Sequence, residues 1–274
     1  RFLHVPHVVP MLSLEKCNSP QDVVSWAENI REAAERDLSF VAEEKIDGAA
    51  IELIYEDGIL TRAVTRGNGK VGYDVTENVR TIKTVPLKLK QPVSLTVRGE
   101  VFIRKSDFDR IRRGGSAFTS ARNLAAGALR RKQSSETAKI PLDTFVFEKV
   151  AGNKTDEERS HADILASLSE LGFKINPNNR VFRDTQALKD YLKTADSRRA
   201  SLGYEIDGIV VKVNERQIRK ALGSTERFPK WAIAFKFKAP ENETVVEGID
   251  VQIGRLGRAT PVAKLRPDQI GGAT

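Results

Sequence analysis

Apolar and polar positions along this chain of 274 residues switch between a period near two and a period near 3.6, and the switches mark its elements. An extended, proline-punctuated stretch covers residues 4–14. Ser19-Pro20-Gln21-Asp22 then reads as an N-cap with proline at the first helical position. The helix runs to about Arg36, with Val23, Trp26, Ala27, Ile30 and Ala34 on one stripe. Phe40-Val41-Ala42 and Ala50 to Tyr55 read as strands, Asp57-Gly58 as a hairpin turn, and Ile59 to Arg66 as the returning strand. A short helix is predicted over Asp74 to Thr81 and a strand over Ser94 to Ile103. On that strand Leu95, Val97, Val101 and Ile103 share one face, Arg98 and Glu100 the other.

Ser106-Asp107-Phe108-Asp109 starts a helix by the capping rule, and Gly114-Gly115 stops it. Ser120 to Arg131 is helical at least in part, with arginines among small residues. A strand over Thr144 to Val150, a polar loop at 152–158 and a capped helix at 160–171 ending at Gly172 follow. Next come a strand near 180 and a helix at 185–193. His161, in a first helical turn without a ligand-spaced partner, is expected on the surface. His4 and His7 can face each other, but two histidines alone make no metal site.

Two late strands repeat one arrangement. In Asp207 to Val213 the alternation puts Ile209, Val211 and Val213 on one face and Gly208, Val210 and Lys212 on the other. In Ala232 to Lys238 the aromatics and Ile233 oppose Ala232, Ala234 and Lys236. A lysine among small or apolar residues needs an anion, either an internal carboxylate or a bound phosphate. Beyond Lys238-Ala239-Pro240 come a strand from Thr244 to Ile253, a basic turn from Gly254 to Arg258, and a strand to about Leu265. These 35 residues are too few for an independent barrel, so the chain divides into 1–239 and the opening of a second domain at 240–274.

Composition changes this picture little. Hydrophobic residues make up 40% and charged residues 30%, which suits a soluble globular protein, and no apolar run approaches the roughly 20 residues that span a bilayer. The net charge of +8 favours polyanionic partners. Cys17, the single cysteine, excludes an internal disulfide and a multi-cysteine zinc site, and a cytoplasmic location is expected. The chain starts at Arg1 without a signal-peptide pattern or an initiator methionine, and a fragment of a longer protein is expected.

Candidate chemistry centres on Glu43-Glu44-Lys45-Ile46-Asp47-Gly48-Ala49. Period two points Glu43, Lys45 and Asp47 the same way while the strand lasts. A lysine between two carboxylates suits a covalent nucleophile with an orienting or metal-binding acid, and equally a solvated strand end of alternating charge. Gly67-Asn68-Gly69-Lys70-Val71-Gly72 offers backbone N–H groups to a phosphate, or is only a turn.

Taken in order, Met11-Leu12-Ser13-Leu14, the E-x-K-x-D-G of 43–48, Thr65-Arg66-Gly67, Arg98-Gly99-Glu100, Ala121-Arg122-Asn123, Asp207 to Val213 and Trp231 to Phe237 resemble the adenylation (nucleotidyltransferase) domain of the bacterial NAD-dependent DNA ligases. Gly254-Arg255 to Ala263 resembles the start of that family's OB-fold. The resemblance implies an α+β fold, largely antiparallel sheets flanked by helices. It implies that Lys45 attacks the α-phosphate of NAD and carries AMP, with Asp47 and Glu100 near Mg²⁺. Ser13, Leu14, Glu43, Arg66, Glu100, Phe147, Lys212 and Lys236 would bind the cofactor, with Glu43 on adenine and the lysines on phosphate. Lys212 and Lys236 would also help keep Lys45 neutral. Arg122 and Arg130 would touch the backbone of nicked double-stranded DNA during repair and replication, and a monomer is expected. Phe147 stands where the family often has tyrosine, Asn68 where aspartate is common and Ala121 where proline is common. The family's preceding nicotinamide-mononucleotide-gripping region, most of its OB-fold and its later modules lie outside these residues, so this chain alone is expected not to seal nicks. The alternatives are an ATP-dependent ligase or capping-type nucleotidyltransferase, and a non-catalytic nucleic-acid-binding module of the same fold.

Overall fold

The computed structural model describes residues 2–115, 118–152, 159–238 and 242–268. The first part of the chain contains β1 (His4–Pro6), β2 (Glu15–Cys17), α1 (Pro20–Ala34), β3 (Phe40–Ile46), β4 (Ala49–Glu56), β5 (Ile59–Thr65), β6 (Val71–Tyr73) and α2 (Thr76–Val79). The middle contains β7 (Leu95–Ile103), α3 (Lys105–Arg113), α4 (Ala121–Leu129), α5 (Ser134–Thr137), β8 (Leu142–Ala151), α6 (His161–Leu171), β9 (Arg180–Phe182), α7 (Thr185–Lys193) and α8 (Ala195–Arg199). Then follow β10 (Ile206–Val213), α9 (Arg216–Leu222), β11 (Ala232–Lys236), β12 (Val246–Ile253) and β13 (Ala259–Leu265). Contacts divide the chain into Arg1–Phe237 and Lys238–Thr274. In the second unit β12 and β13 form an antiparallel pair.

Two sheets build the first unit. One has the order β2-β11-β10-β3-β9, antiparallel except where β2 runs parallel to β11; the other is β5-β4-β7-β8, antiparallel throughout. The chain steps from the first sheet to the second between β3 and β4, at Asp47-Gly48. Glycine is required there because a Cβ would sit 2.2 Å from the Val101 carbonyl oxygen. Each sheet has its own apolar cluster. Ile51, Leu53, Val97 and Val101 pack with Leu124, Ile164 and Leu168 on one, while Phe40, Ala42, Ile209 and Val211 pack with Val23, Ala27 and Leu188 on the other. Phe102 and Phe145, from the second sheet, stack at 5.0 Å and join Tyr204 in the first sheet's cluster.

The α1 cap is as expected, Ser19 Oγ accepting from the Asp22 N–H at 3.1 Å. Asp57 and Gly58 take left-handed φ values of 48° and 78° in the β4–β5 hairpin. The helix expected to begin at Ser106 instead starts at Lys105 behind Arg104, without a side-chain cap. The expected loop at 152–158 lies outside the described residues after Gly152. No helix among the described residues is long and apolar enough to cross a membrane.

Candidate active site

Between the sheets lies a cleft of about 460 Å³, a usual size for a small-molecule site. One wall is the leading stretch, Val9 to Leu12 and Leu14. A buried ionic knot holds it in place. Glu52 on β4 and Arg98, its cross-strand partner on β7, pair at 3.0 Å. Glu52 also meets His7 Nδ1 at 3.1 Å, and Arg98 donates to the carbonyls of Val9 and Pro10. His4 is instead edge-on to Tyr73, so the two histidines do not face each other.

Register explains the mouth of the cleft. Lys45 on β3 lies opposite Gly208 on β10, and Gly208 lies opposite Lys236 on β11. Cross-strand partners share a face. Two lysines therefore flank a residue with no side chain, where a Cβ would meet the Phe235 carbonyl oxygen at 2.1 Å. Strict alternation sends Asp207 to the other face, but the pairing of β10 with β3 is irregular between Ile206 and Gly208. Such an irregularity re-aims a side chain. Asp207 meets Lys45 Nζ at 3.2 Å and also accepts from Lys236. Burial alone would raise the Asp207 carboxyl, but Lys236 and Lys45 hold it below its ordinary value. Burial lowers the Lys236 ammonium, with Lys45 acting in the same direction and Asp207 opposing.

Asp47 lies one residue past β3, so it leaves the alternation of Glu43 and Lys45. Its N–H donates to the Glu205 carbonyl at 2.9 Å, and its carboxylate accepts from Arg122 at 2.9 Å. Burial pushes the Glu100 carboxyl up to about 8, against the pull of Lys45 and Arg122 and with the added push of Asp47 and Asp207. Among the described residues, no three His, Cys, Asp or Glu side chains are grouped to hold a metal. Mg²⁺ keeps most of its waters and asks for only one or two carboxylates; Asp47 and Glu100, near enough for Asp47 to push the Glu100 carboxyl up, are of the type that would hold such an ion through water.

The deep end differs. Glu43 is 5% exposed and lies opposite Val210, two residues before Lys212, which donates to it at 2.8 Å. The expected surface position of His161 is incorrect: it is fully buried, with Nε2 2.5 Å from Glu43 Oε1. Arg219, on α9, donates to His161 Nδ1 at 3.3 Å and lies over the Trp231 ring at 4.5 Å. Burial would raise the Glu43 carboxyl, yet Lys212 and His161 bring it down to about 2. Burial and Arg219 push the imidazole down to about 3.

Of the residues expected to bind cofactor, Leu14, Glu43, Arg66, Glu100, Phe147 and Lys212 line the cleft together with Lys45. Ser13 does not line it, but its Oγ accepts from Arg66 at 3.0 Å. Lys236 does not line it either; it is linked to Lys45 through Asp207. Lys212 lies 5.1 Å above the Phe147 ring. Arg122 is held by Asp47, and Arg130 lies 6.0 Å from the Tyr73 ring, away from the cleft lining. Both late-strand lysines have internal carboxylates as partners. Asp207, His161, Arg219 and Trp231 were not singled out from sequence as site residues. Nor was the cluster in which Glu44 accepts from Tyr204 at 2.6 Å and from Asn176 at 2.9 Å.

The family model for the NAD-dependent DNA ligase adenylation domain matches residues 1–240. The chain belongs to that family. It is 42% identical over its whole length to a DNA ligase of Acetivibrio thermocellus, and 43% identical to one of Methylococcus capsulatus. In each case it spans 42% of the relative's length. Among solved structures, an archaeal ATP-dependent RNA ligase matches 84% of this chain and 48% of its own, at a TM-score of 0.50 and 13% identity. That likeness is one of fold. The mixed α+β architecture with antiparallel sheets agrees with the nucleotidyltransferase fold of this ligase family.

Proposed function

We propose that this adenylation domain takes the AMP half of NAD onto Lys45 as the opening stage of DNA ligation. The observation that carries the reading is the Lys45–Gly208–Lys236 row, with Asp207 between the ammoniums and Lys45 on the lining of a nucleotide-sized cleft. Lys45 Nζ, on a side chain partly open to water, gives up a proton to solvent and attacks the α-phosphorus. A P–N bond forms, the P–O bond to the second phosphate breaks, and nicotinamide mononucleotide leaves with the electron pair.

Lys236 stands next to Lys45, where its charge would offset the charge growing on the phosphate oxygens. Lys212 would serve the same phosphate only by sharing itself with Glu43. Glu43 accepts from the adenine amino group, Phe147 stacks on the ring, and Leu14, Arg66 and Glu100 line the ribose and phosphate path, with Ser13 holding Arg66. Asp47 and Glu100 would hold Mg²⁺ through its waters; bound there, it would supply positive charge to the phosphate. AMP then passes to the 5′-phosphate of nicked DNA, where Arg122 and Arg130 contact the backbone in a salt-sensitive way. Because the relatives are more than twice as long, these 274 residues by themselves are proposed not to seal a nick. Residues 240–274 are proposed as the opening of an OB-fold.

Intact mass after incubation with NAD and Mg²⁺ tests this reading. A gain of one AMP, reversed by nicotinamide mononucleotide, is expected. An adduct from ATP and none from NAD would favour the ATP-dependent alternative. No adduct from either donor, even with a relative's N-terminal region supplied in trans, would overturn the enzyme reading.

A further inference from the structure

His161 and Arg219 take no part in the chemistry above, yet His161 is buried behind the residue proposed to read the base, and Arg219, on the cleft lining, is bonded to it. We propose that His161, held by Arg219, is a positioning residue that makes Glu43 select a 6-amino purine over a 6-oxo purine. The assignment rests on the proposed adenine reading of Glu43.

The hydrogen-bond directions are forced. A guanidinium only donates, so His161 Nδ1, 3.3 Å from Arg219 Nη1, must accept. The proton of a neutral ring is then on Nε2, facing Glu43 Oε1 at 2.5 Å. Arg219 cannot easily turn away: its Nε donates to the Val213 carbonyl at 2.5 Å and its guanidinium is stacked on Trp231. Lys212 takes the other Glu43 oxygen at 2.8 Å. Donors from α6 and from β10 thus anchor both oxygens, and the lone pairs left toward the cleft belong to an ionised group that can only accept.

A 6-amino group donates to such a carboxylate. A 6-oxo group sets its lone pairs against it, and a site built to bond one of them rejects the other. Without the Nε2–H, Lys212 alone opposes burial at Glu43, and the carboxyl is more readily protonated. The protonated form can donate to a 6-oxo group, so the preference shrinks through the carboxylate while the cleft remains.

The test is calorimetric binding of AMP and of inosine monophosphate to the chain and to His161→Ala and His161→Gln. The parent is expected to prefer AMP. His161→Ala should shrink the ratio on the order of tenfold, the scale of one hydrogen bond to a charged group. His161→Gln, whose amide can donate to Glu43 and accept from Arg219, should retain the ratio. Equal weakening of both nucleotides in His161→Ala would mean a merely structural role and would overturn the assignment. A parent that prefers AMP while His161→Ala keeps the full ratio overturns this inference and leaves the adenine reading intact. A parent without preference overturns the adenine reading and this inference with it. Should His161→Ala not fold, nitrogen-15 NMR of the parent imidazole decides: a neutral ring protonated on Nε2 is expected, and an imidazolium or an Nδ1–H ring contradicts the proposal.

Discussion

At each end of the cleft a lysine on one strand meets a carboxylate on another, but the surroundings differ. The Lys45, Asp207 and Lys236 side chains keep 24%, 28% and 23% of their surface in solvent, whereas Lys212 and Glu43 keep 6% each. Water can make up the difference when an outer ammonium trades Asp207 for a ligand's phosphate. An inner charge that loses its partner is stranded in apolar surroundings. The outer end therefore suits groups whose bonds and partners change during a reaction, and the inner end suits a fixed reader.

Lys212→Met should give the largest effect. It leaves Glu43 buried with His161 alone and should cost about 3–5 kcal/mol in denaturant unfolding. A loss below about 1 kcal/mol would erase the distinction between the ends.

Glu100→Gln tests the border between them through pH. The Glu100 carboxyl is raised from 4.5 to about 8 on folding. Between those values the folded chain holds a proton that the unfolded chain releases, so its stability falls as pH rises through that window. Without divalent ions, Glu100→Gln should be more stable than the parent above pH 8, by about 2 kcal/mol after allowance for solvent, and should match it near pH 4.5. Parallel stability curves would contradict this.

Lys236→Met should cost least in stability, about 1 kcal/mol or less, because its pair with Asp207 is open to water. Its effect on AMP transfer should be much larger, about 100-fold or more in rate, if it faces the developing phosphate charge. A rate within threefold of the parent would remove Lys236 from the proposed chemistry.

What the chain discloses in advance follows from how local each signal is. The β4–β5 hairpin, the Ser19 cap and the faces of β10 and β11 depend on neighbouring residues, and all were legible. Lys45 was legible as a strand-end lysine, but not as one member of a row, because the row exists only once Gly208 and Lys236 are in register. Asp207 was hidden by the irregularity beside it, since alternation assigns it to the opposite face. His161 looked like a surface residue in a first helical turn; its partner Glu43 is 118 positions earlier. Helix α9, which brings Arg219, was not anticipated at all.

The central claim is that Lys45, of the lysines in and beside the cleft, is the one that carries AMP. Peptide mapping of the chain after reaction with NAD and Mg²⁺, with Lys45→Ala alongside, tests it most directly. The account predicts the AMP mass on the peptide containing Lys45 and none anywhere in Lys45→Ala. AMP on Lys212 or Lys236, or an adduct that survives Lys45→Ala, would contradict it.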